Sequence, residues 1–168
     1  MGDLKMGRGT YGTIIRRGTH NQIRVGNYCS IAEGCICDGG FGHNPRFVST
    51  YPFSVNLKGC EHLPGHPVWK GDIYIGNDVW IGEGCMIMSG VTIGDGAIIG
   101  ARSIVTKDIP PYVVAVGSPA KVVRKRFSET QIDYLLKIQW WSWPEDKIIK
   151  NAHLLMSENI DDFINKHA

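Results

Sequence analysis

The sequence predicts an all-β core folded as a parallel β-helix, followed by an α-helical tail. All 21 glycines of the 168-residue chain lie between Gly2 and Gly117, and residues 118–168 contain none. Because glycine weakens helices, the glycine-rich part is not mainly helical. Before Phe127 the chain has only three leucines but many Ile and Val residues, whose β-branched side chains favour strands.

A six-residue repeat predicts the architecture of this core. One position is aliphatic in every unit, at Ile75, Ile81, Ile87, Ile93, Ile99 and Val105. The position four residues later is mostly small, at Val79, Cys85, Val91, Ala97, Ser103 and Ile109. The segment 25–36 repeats the pattern. An amphipathic helix needs apolar residues about 3.6 positions apart, so the period indicates short strands joined by tight turns, with the aliphatic side chains pointing inward.

Two residue types in the repeat carry further expectations. Glycine follows the aliphatic residue at Gly76, Gly82, Gly94 and Gly100, where we expect corners that need a positive φ. Cysteine occupies the small position at Cys29, Cys35 and Cys85, where we expect interior hydrophobes. A nucleophilic cysteine is the alternative, but the sequence offers no helix N-terminus or paired base to activate one.

The overall composition excludes several classes of partner. A net charge of +2 argues against a broad nucleic-acid surface, although Lys121, Arg124, Lys125 and Arg126 form a local cluster suited to a small anion. The longest apolar stretches fall far short of the ~20 residues that cross a bilayer. Five cysteines without a framework spacing indicate free thiols in a reducing compartment. We therefore expect a cytoplasmic protein without a membrane or nucleic-acid partner.

The glycine-free tail has helical signals. Residues 128–131 form a capping-box pattern that predicts a helix, and Pro144 opens a second helical pattern. We expect Trp140, Trp141 and Trp143 to pack this tail onto the core, with stacking on a substrate as the alternative. The chain thus divides into a β-helix domain at 1–127, interrupted by an insertion at 38–72, and a helical cap at 128–168.

Three segments resemble one family. IGNDVWIGEG at 75–84, GVTIGDGAIIGARSIVTKDIPPY at 90–112 and VGSPAKVVRKRF at 116–127 are similar to the left-handed β-helix (hexapeptide-repeat) acyltransferases, in the branch of the streptogramin and type B chloramphenicol acetyltransferases. The left hand of the helix is implied by this resemblance alone, because the period does not fix it. The resemblance also implies acetyl-CoA as co-substrate and a homotrimer with active sites between subunits.

The insertion carries the candidate base. GHNPRFVSTYPF at 42–53 resembles the catalytic loop of the family, which implies that His43 is the general base and that Tyr51 contacts the substrate. A hydroxyl is a poor nucleophile until its proton is removed, and histidine, with an unperturbed pKa of about 6.5, suits that transfer. His62 and His66 could share a metal, but no third ligand is in phase with them and no metal is expected.

The acetyl-CoA contacts come from the resemblance, residue by residue. It implies contacts from Glu83, Ala101, Thr106, Lys107, Lys121 and Arg124, with the basic side chains pairing with phosphates. A solvated basic face is the alternative. Lys121 stands where the galactoside enzymes have arginine, so a bidentate contact is not expected there. Trp80 is expected to wall the acetyl pocket near His43, with simple packing as the alternative.

Several acceptors are consistent with the sequence. We expect an O-acetyltransferase acting on the hydroxyl of a sugar or polysaccharide precursor, because the chain is shorter than the antibiotic-resistance enzymes of the branch. The alternatives are a streptogramin or chloramphenicol O-acetyltransferase, a nucleotide-sugar N-acetyltransferase, and a γ-carbonic-anhydrase-like or non-catalytic prism. The TKDIPP and SPAKVVRKR segments favour a coenzyme A enzyme over the last of these.

Overall fold

A computed structural model describes residues 3–18, 21–40 and 42–167 of the chain. In chain order its strands are β1 (Leu4–Met6), β2 (Ile14–Arg17), β3 (Ile23–Val25), β4 (Ser30–Ile31), β5 (Cys35–Asp38), β6 (Ile73–Ile75), β7 (Trp80–Ile81), β8 (Met86–Ile87), β9 (Thr92–Ile93), β10 (Ile98–Ile99), β11 (Ile104–Val105), β12 (Val113–Gly117) and β13 (Ala120–Lys125). The helices are α1 (Phe53–Asn56), α2 (Glu129–Ile138), α3 (Glu145–Leu155) and α4 (Ile160–His167), with a 3₁₀ turn at Trp140–Ser142.

The strands form a left-handed parallel β-helix with three faces. The first sheet has the order β1-β3-β6-β9, the second has β13-β12-β10-β7-β4, and the third has β11-β8-β5-β2. Each coil visits the three sheets in turn, so residues one coil apart stack in register, as Ile31 does on Ile81 and Cys37 on Ile87. The sequence-based prediction of a β-helix is confirmed.

The interior follows the six-residue repeat. The aliphatic positions from Ile75 to Val105 are all 0–3% exposed, and the positions four residues after them are 0–5% exposed. Cys29, Cys35 and Cys85 are completely buried in this core, as expected of interior hydrophobes. Desolvation by this burial raises the pKa of the Cys29 and Cys85 thiols, which opposes a nucleophilic role.

The expectation for the repeat glycines is wrong in its mechanism. Among the glycines that follow the aliphatic residue, none has a positive φ; the left-handed residue comes two positions later, for example at Asp78, Gly84 and Gly96. What Gly82 provides is close approach, because a Cβ there would lie 2.5 Å from the backbone nitrogen of Ala101 on the next coil. These glycines let neighbouring coils touch at the corners.

Side-chain oxygens align successive coils at the corner between the first and second sheets. The backbone N–H of Asn27 donates to Oδ1 of Asn77 at 2.8 Å, and the backbone N–H of Asn77 donates to Oδ1 of Asp95 at 2.7 Å. The backbone of Arg8 continues the ladder by donating to Oδ1 of Asn27 at 2.8 Å. These bonds supply acceptors for corner N–H groups that the sheets leave without strand partners.

The β-helix ends in a hairpin and a docked tail. β12 continues the second sheet and β13 returns antiparallel along it, an element that the repeat did not predict. The capping box predicted at 128–131 is present at the start of α2. Trp141 and Trp143 are 2% and 9% exposed, so they pack as predicted rather than stack on a substrate. The Arg8 guanidinium donates to the carbonyl oxygens of both, at 3.3 and 2.5 Å.

None of the helices in residues 3–18, 21–40 and 42–167 is long and apolar enough to span a bilayer.

Candidate active site

The insertion leaves the β-helix at one corner of the prism. It starts after β5 on the third sheet and returns to β6 on the first sheet, where an antiparallel bridge between Gly42 and Val68 closes its base. Its chain contains the short helix α1 and no other regular element among its described residues. The loop therefore forms a separate lobe at the corner between the third and first sheets.

His43 lies at the start of this lobe with an exposed side chain. Its Nδ1 atom forms a hydrogen bond with the carbonyl oxygen of Thr50. A carbonyl only accepts, so Nδ1 carries the proton and Nε2 of the neutral ring keeps its lone pair. The loop thus holds the imidazole in the tautomer that a general base requires at Nε2.

His66 returns from the far side of the loop to meet His43. The two rings lie 5.3 Å apart, edge to face, and the His66 ring also contacts that of Phe47 at 5.8 Å. Sequence reasoning considered His66 only as a metal partner of His62. Among the described residues there is no group of three His, Cys, Asp or Glu side chains placed to hold a metal.

A cavity of about 330 Å³ opens within the lobe. Its walls are largely apolar and aromatic, with a few polar groups, and comprise Phe47, Ser49, Tyr51, Phe53, Ser54, Leu63, Pro64 and His66. Tyr51, predicted to contact the substrate, is part of this wall, and its ring packs edge to face on Phe53 at 5.0 Å. The His66 ring lines the cavity and contacts the His43 ring, so it connects the cavity to the candidate base.

Trp80 lies elsewhere on the chain. It belongs to β7 of the second sheet, which is the face opposite the corner that carries the loop, and its side chain is 55% exposed. Within one chain the fold therefore does not bring Trp80 to His43, so the predicted pocket wall beside the base would have to involve a neighbouring subunit.

The six residues predicted to contact acetyl-CoA are all exposed and fall into three places. Glu83 and Ala101 lie on adjacent coils at the corner between the second and third sheets, where the Glu83 carboxylate pairs with Arg102 at 3.5 Å. Thr106 and Lys107 follow β11 at the corner between the third and first sheets. Lys121 and Arg124 lie on β13, at the edge of the second sheet.

Sequence reasoning missed the groups that organise the loop. The Thr50 oxygen that orients His43 belongs to the backbone and has no signature in the sequence. The position of His66 depends on how the loop folds back on itself, and the loop has no repeat from which that path could be predicted. The sequence shows that residue 66 is a histidine, but it does not show that this histidine contacts His43.

These features define a β-helix protein of six-residue repeats with a histidine-bearing lobe at one corner. Residues 72–107 match the model of the bacterial transferase hexapeptide family, which consists of six repeats. A probable macrolide acetyltransferase of Lysinibacillus sphaericus is 43% identical over 88% of this chain and 85% of its own length. A chloramphenicol acetyltransferase of Morganella morganii is 44% identical over 83% of this chain and 69% of its own.

A solved galactoside acetyltransferase in complex with coenzyme A aligns with a TM-score of 0.55 and 32% identity. The alignment covers 74% of this chain but only 56% of that structure, so the present chain spans little more than half of the solved relative. Together these likenesses place the chain in the hexapeptide-repeat transferase family, in its xenobiotic acetyltransferase branch. It is an acetyltransferase, a class whose acyl donor is acetyl-CoA.

Proposed function

We propose that this protein transfers the acetyl group of acetyl-CoA to a hydroxyl of an antibiotic, with His43 as general base. The observation that carries the proposal is the hydrogen bond between Nδ1 of His43 and the Thr50 carbonyl, which leaves Nε2 free to accept a proton. The reaction needs a base that activates the acceptor hydroxyl and a site that binds the acceptor molecule. A histidine in the correct tautomer next to an apolar cavity provides both.

The chemistry follows from that tautomer. The acceptor oxygen attacks the thioester carbonyl as Nε2 of His43 takes its proton, and a C–O bond forms. The resulting tetrahedral intermediate collapses by breaking the C–S bond. Coenzyme A leaves as the thiolate and takes up the proton from the imidazolium, so His43 returns to its starting state. A positioned general base of this kind contributes about 10²–10⁴-fold to the rate.

An antibiotic is favoured over the sugar that chain length alone suggested. Relatives above 40% identity over more than four-fifths of the chain are named for macrolide and chloramphenicol acetylation. The cavity wall supports the same class, since Phe47, Phe53 and Leu63 offer apolar surface. A sugar acceptor remains the second candidate, because the galactoside acetyltransferase is 32% identical over 74% of the chain.

Acetyl-CoA binding is proposed for the exposed residues at the three places described above. Lys107, Lys121 and Arg124 form no ion pair with any described residue, so their charges are available to phosphate groups. Glu83, Ala101 and Thr106 would line the path of the pantetheine arm. Alanine variants of the three basic residues should raise the KM for acetyl-CoA and leave the KM for the acceptor unchanged.

A homotrimer would complete the site. Trp80 and His43 are separated within one chain, so a neighbouring subunit would have to bring Trp80 to the loop. The exposed apolar side chains Tyr11, Ile15 and Trp80 on the outer faces of the prism support an interface. We expect His43→Asn and Trp80→Ala each to be inactive. Co-expressing the two variants should restore part of the activity, because some interfaces would then hold both native residues. Five free cysteines support a cytoplasmic location.

The test is a panel assay. Wild-type protein with acetyl-CoA is offered a macrolide, chloramphenicol, maltose and a galactoside, and thiol release and acetylated product are measured. We expect turnover with at least one antibiotic and only background release with the sugars. Turnover confined to the sugars would transfer the proposal to the second candidate. Thiol release that no acceptor accelerates would contradict both.

A further inference from the structure

Two residues that line the loop cavity carry buried polar atoms that the reaction above does not use. Nε2 of His66 and Oγ of Ser54 are buried and have no hydrogen-bond partner in the described part of the chain. Both residues line the cavity. Buried polar groups in folded proteins are almost always paired, and an unpaired one destabilises the structure that holds it. Two such groups in the wall of one cavity are candidates to pair with a polar substituent of a bound molecule.

The remaining wall determines what that substituent is attached to. Phe47, Phe53, Leu63 and Pro64 are apolar, and the Tyr51 ring adds an aromatic surface. A volume of about 330 Å³ lies at the lower end of the range of about 300–1,000 Å³ for small-molecule sites. The cavity therefore fits one ring system with a polar substituent and is too small for a whole macrocycle.

The position of the cavity connects it to the base. The His66 ring contacts the His43 ring at 5.3 Å and the Phe47 ring at 5.8 Å, so it stands between the general base and an aromatic wall of the cavity. A group bound to His66 is consequently held beside His43. Binding at this point would fix the acceptor hydroxyl relative to the base, which is how positioning contributes to rate.

We propose, building on the antibiotic acetyltransferase function, that this cavity binds a ring of the acceptor and that His66 and Ser54 recognise a polar group on that ring. His66 is then a specificity-determining residue of the acceptor site. A sugar carries hydroxyls around its ring, and these would be desolvated without partners against Phe47 and Leu63. The same wall that accepts an aromatic or apolar ring therefore rejects a sugar.

The experiment compares two histidines of the same loop. The full-length variants His66→Phe and His62→Phe are assayed with acetyl-CoA and chloramphenicol, whose ring carries a nitro group and whose side chain carries hydroxyls. His62 is exposed and does not line the cavity, so it is the matched control. We expect the KM for chloramphenicol to rise about tenfold in His66→Phe and to stay within twofold of wild type in His62→Phe. The KM for acetyl-CoA should change in neither.

Ser54→Ala is the second variant, because it removes one hydroxyl without adding bulk and keeps the test informative if His66→Phe folds poorly. We expect a rise of about threefold in the KM for chloramphenicol. A macrolide replaces chloramphenicol if it is the antibiotic that the wild type acetylates. Wild-type turnover of an antibiotic with unchanged KM in His66→Phe or Ser54→Ala would overturn the cavity proposal and leave the proposed function standing. Turnover of sugars alone by the wild type would overturn both.

Discussion

Nδ1 of His43 is hydrogen-bonded to the carbonyl oxygen of Thr50, seven residues further along the same loop. This bond joins the two ends of the segment that carries the candidate base, so the tautomer of the imidazole depends on the backbone of the loop.

The docking of the tail gives a first prediction. Arg8→Met removes the guanidinium that donates to the Trp141 and Trp143 carbonyls, and the free energy of unfolding should fall by about 1–2 kcal/mol. Urea denaturation measures the change. Arg102→Met is the control, because its ion pair with Glu83 is highly exposed and should contribute less than about 0.5 kcal/mol. Equal losses in the two variants would contradict the role of Arg8.

Coil stacking gives a second prediction, in which two glycines two residues apart should respond differently. Gly82→Ala places a Cβ 2.5 Å from the Ala101 backbone nitrogen, and coils must separate to admit it; we expect a loss of about 3 kcal/mol. A Cβ at Gly84 would meet only the Arg102 Cγ, at an ordinary contact distance of 3.6 Å, so Gly84→Ala is opposed mainly by the positive φ of 66°, for a loss of about 1 kcal/mol. Urea denaturation measures the free energy of unfolding of both variants. A larger loss in Gly84→Ala than in Gly82→Ala would show that the positive φ constrains the coil more than the close approach of the neighbouring coil does.

The half-buried pair of Asp78 and Arg126 gives a pH-dependent prediction. Desolvation raises the pKa of Asp78 to about 6, against the opposing effect of Arg126, whose guanidinium lies 3.5 Å from the carboxylate. Between about pH 4 and pH 6 the folded protein therefore holds a proton that the unfolded chain has released, so stability falls as the pH rises through this window. Because 30% of the Asp78 side chain is exposed, we expect the contribution to be about 1–2 kcal/mol.

Asp78→Asn has no proton to release and should lose this slope. The unfolding free energy, measured in urea at several values between pH 4 and pH 7, should fall less steeply in the variant than in the wild type. Asp133→Asn, on the exposed surface of α2, serves as the control and should keep the wild-type slope. Parallel curves for wild type and Asp78→Asn would mean that the carboxyl titrates alike in the folded and unfolded states.

The predictable part of the fold is the six-residue repeat, in which the same type of residue occupies the same environment in every unit. The interior from Ile75 to Val105 could be read directly, because every unit of the repeat places its aliphatic residue in the same environment. The hairpin of β12 and β13 was missed, because it breaks the repeat without a change in composition. The role of Gly82 was misassigned, since its constraint comes from a residue on the next coil.

The candidate site was predictable only as far as residue types allow. His43 could be singled out from its flanking motif, but its partner is a backbone oxygen that any residue at position 50 would supply. The contact between His66 and His43 spans 23 residues of a loop without periodicity. Such contacts follow from the folded path of the loop, and local sequence does not determine that path.

The most direct test of the account is the turnover number of His43→Asn with acetyl-CoA and the antibiotic acceptor. The asparagine amide can still donate to the Thr50 carbonyl, so the loop is preserved while the basic nitrogen is lost. We predict that kcat falls by about 10²–10⁴-fold while the dissociation constant for acetyl-CoA is unchanged, and that His62→Asn retains wild-type kcat. A kcat for His43→Asn within about threefold of wild type would contradict the assignment of His43 as the general base.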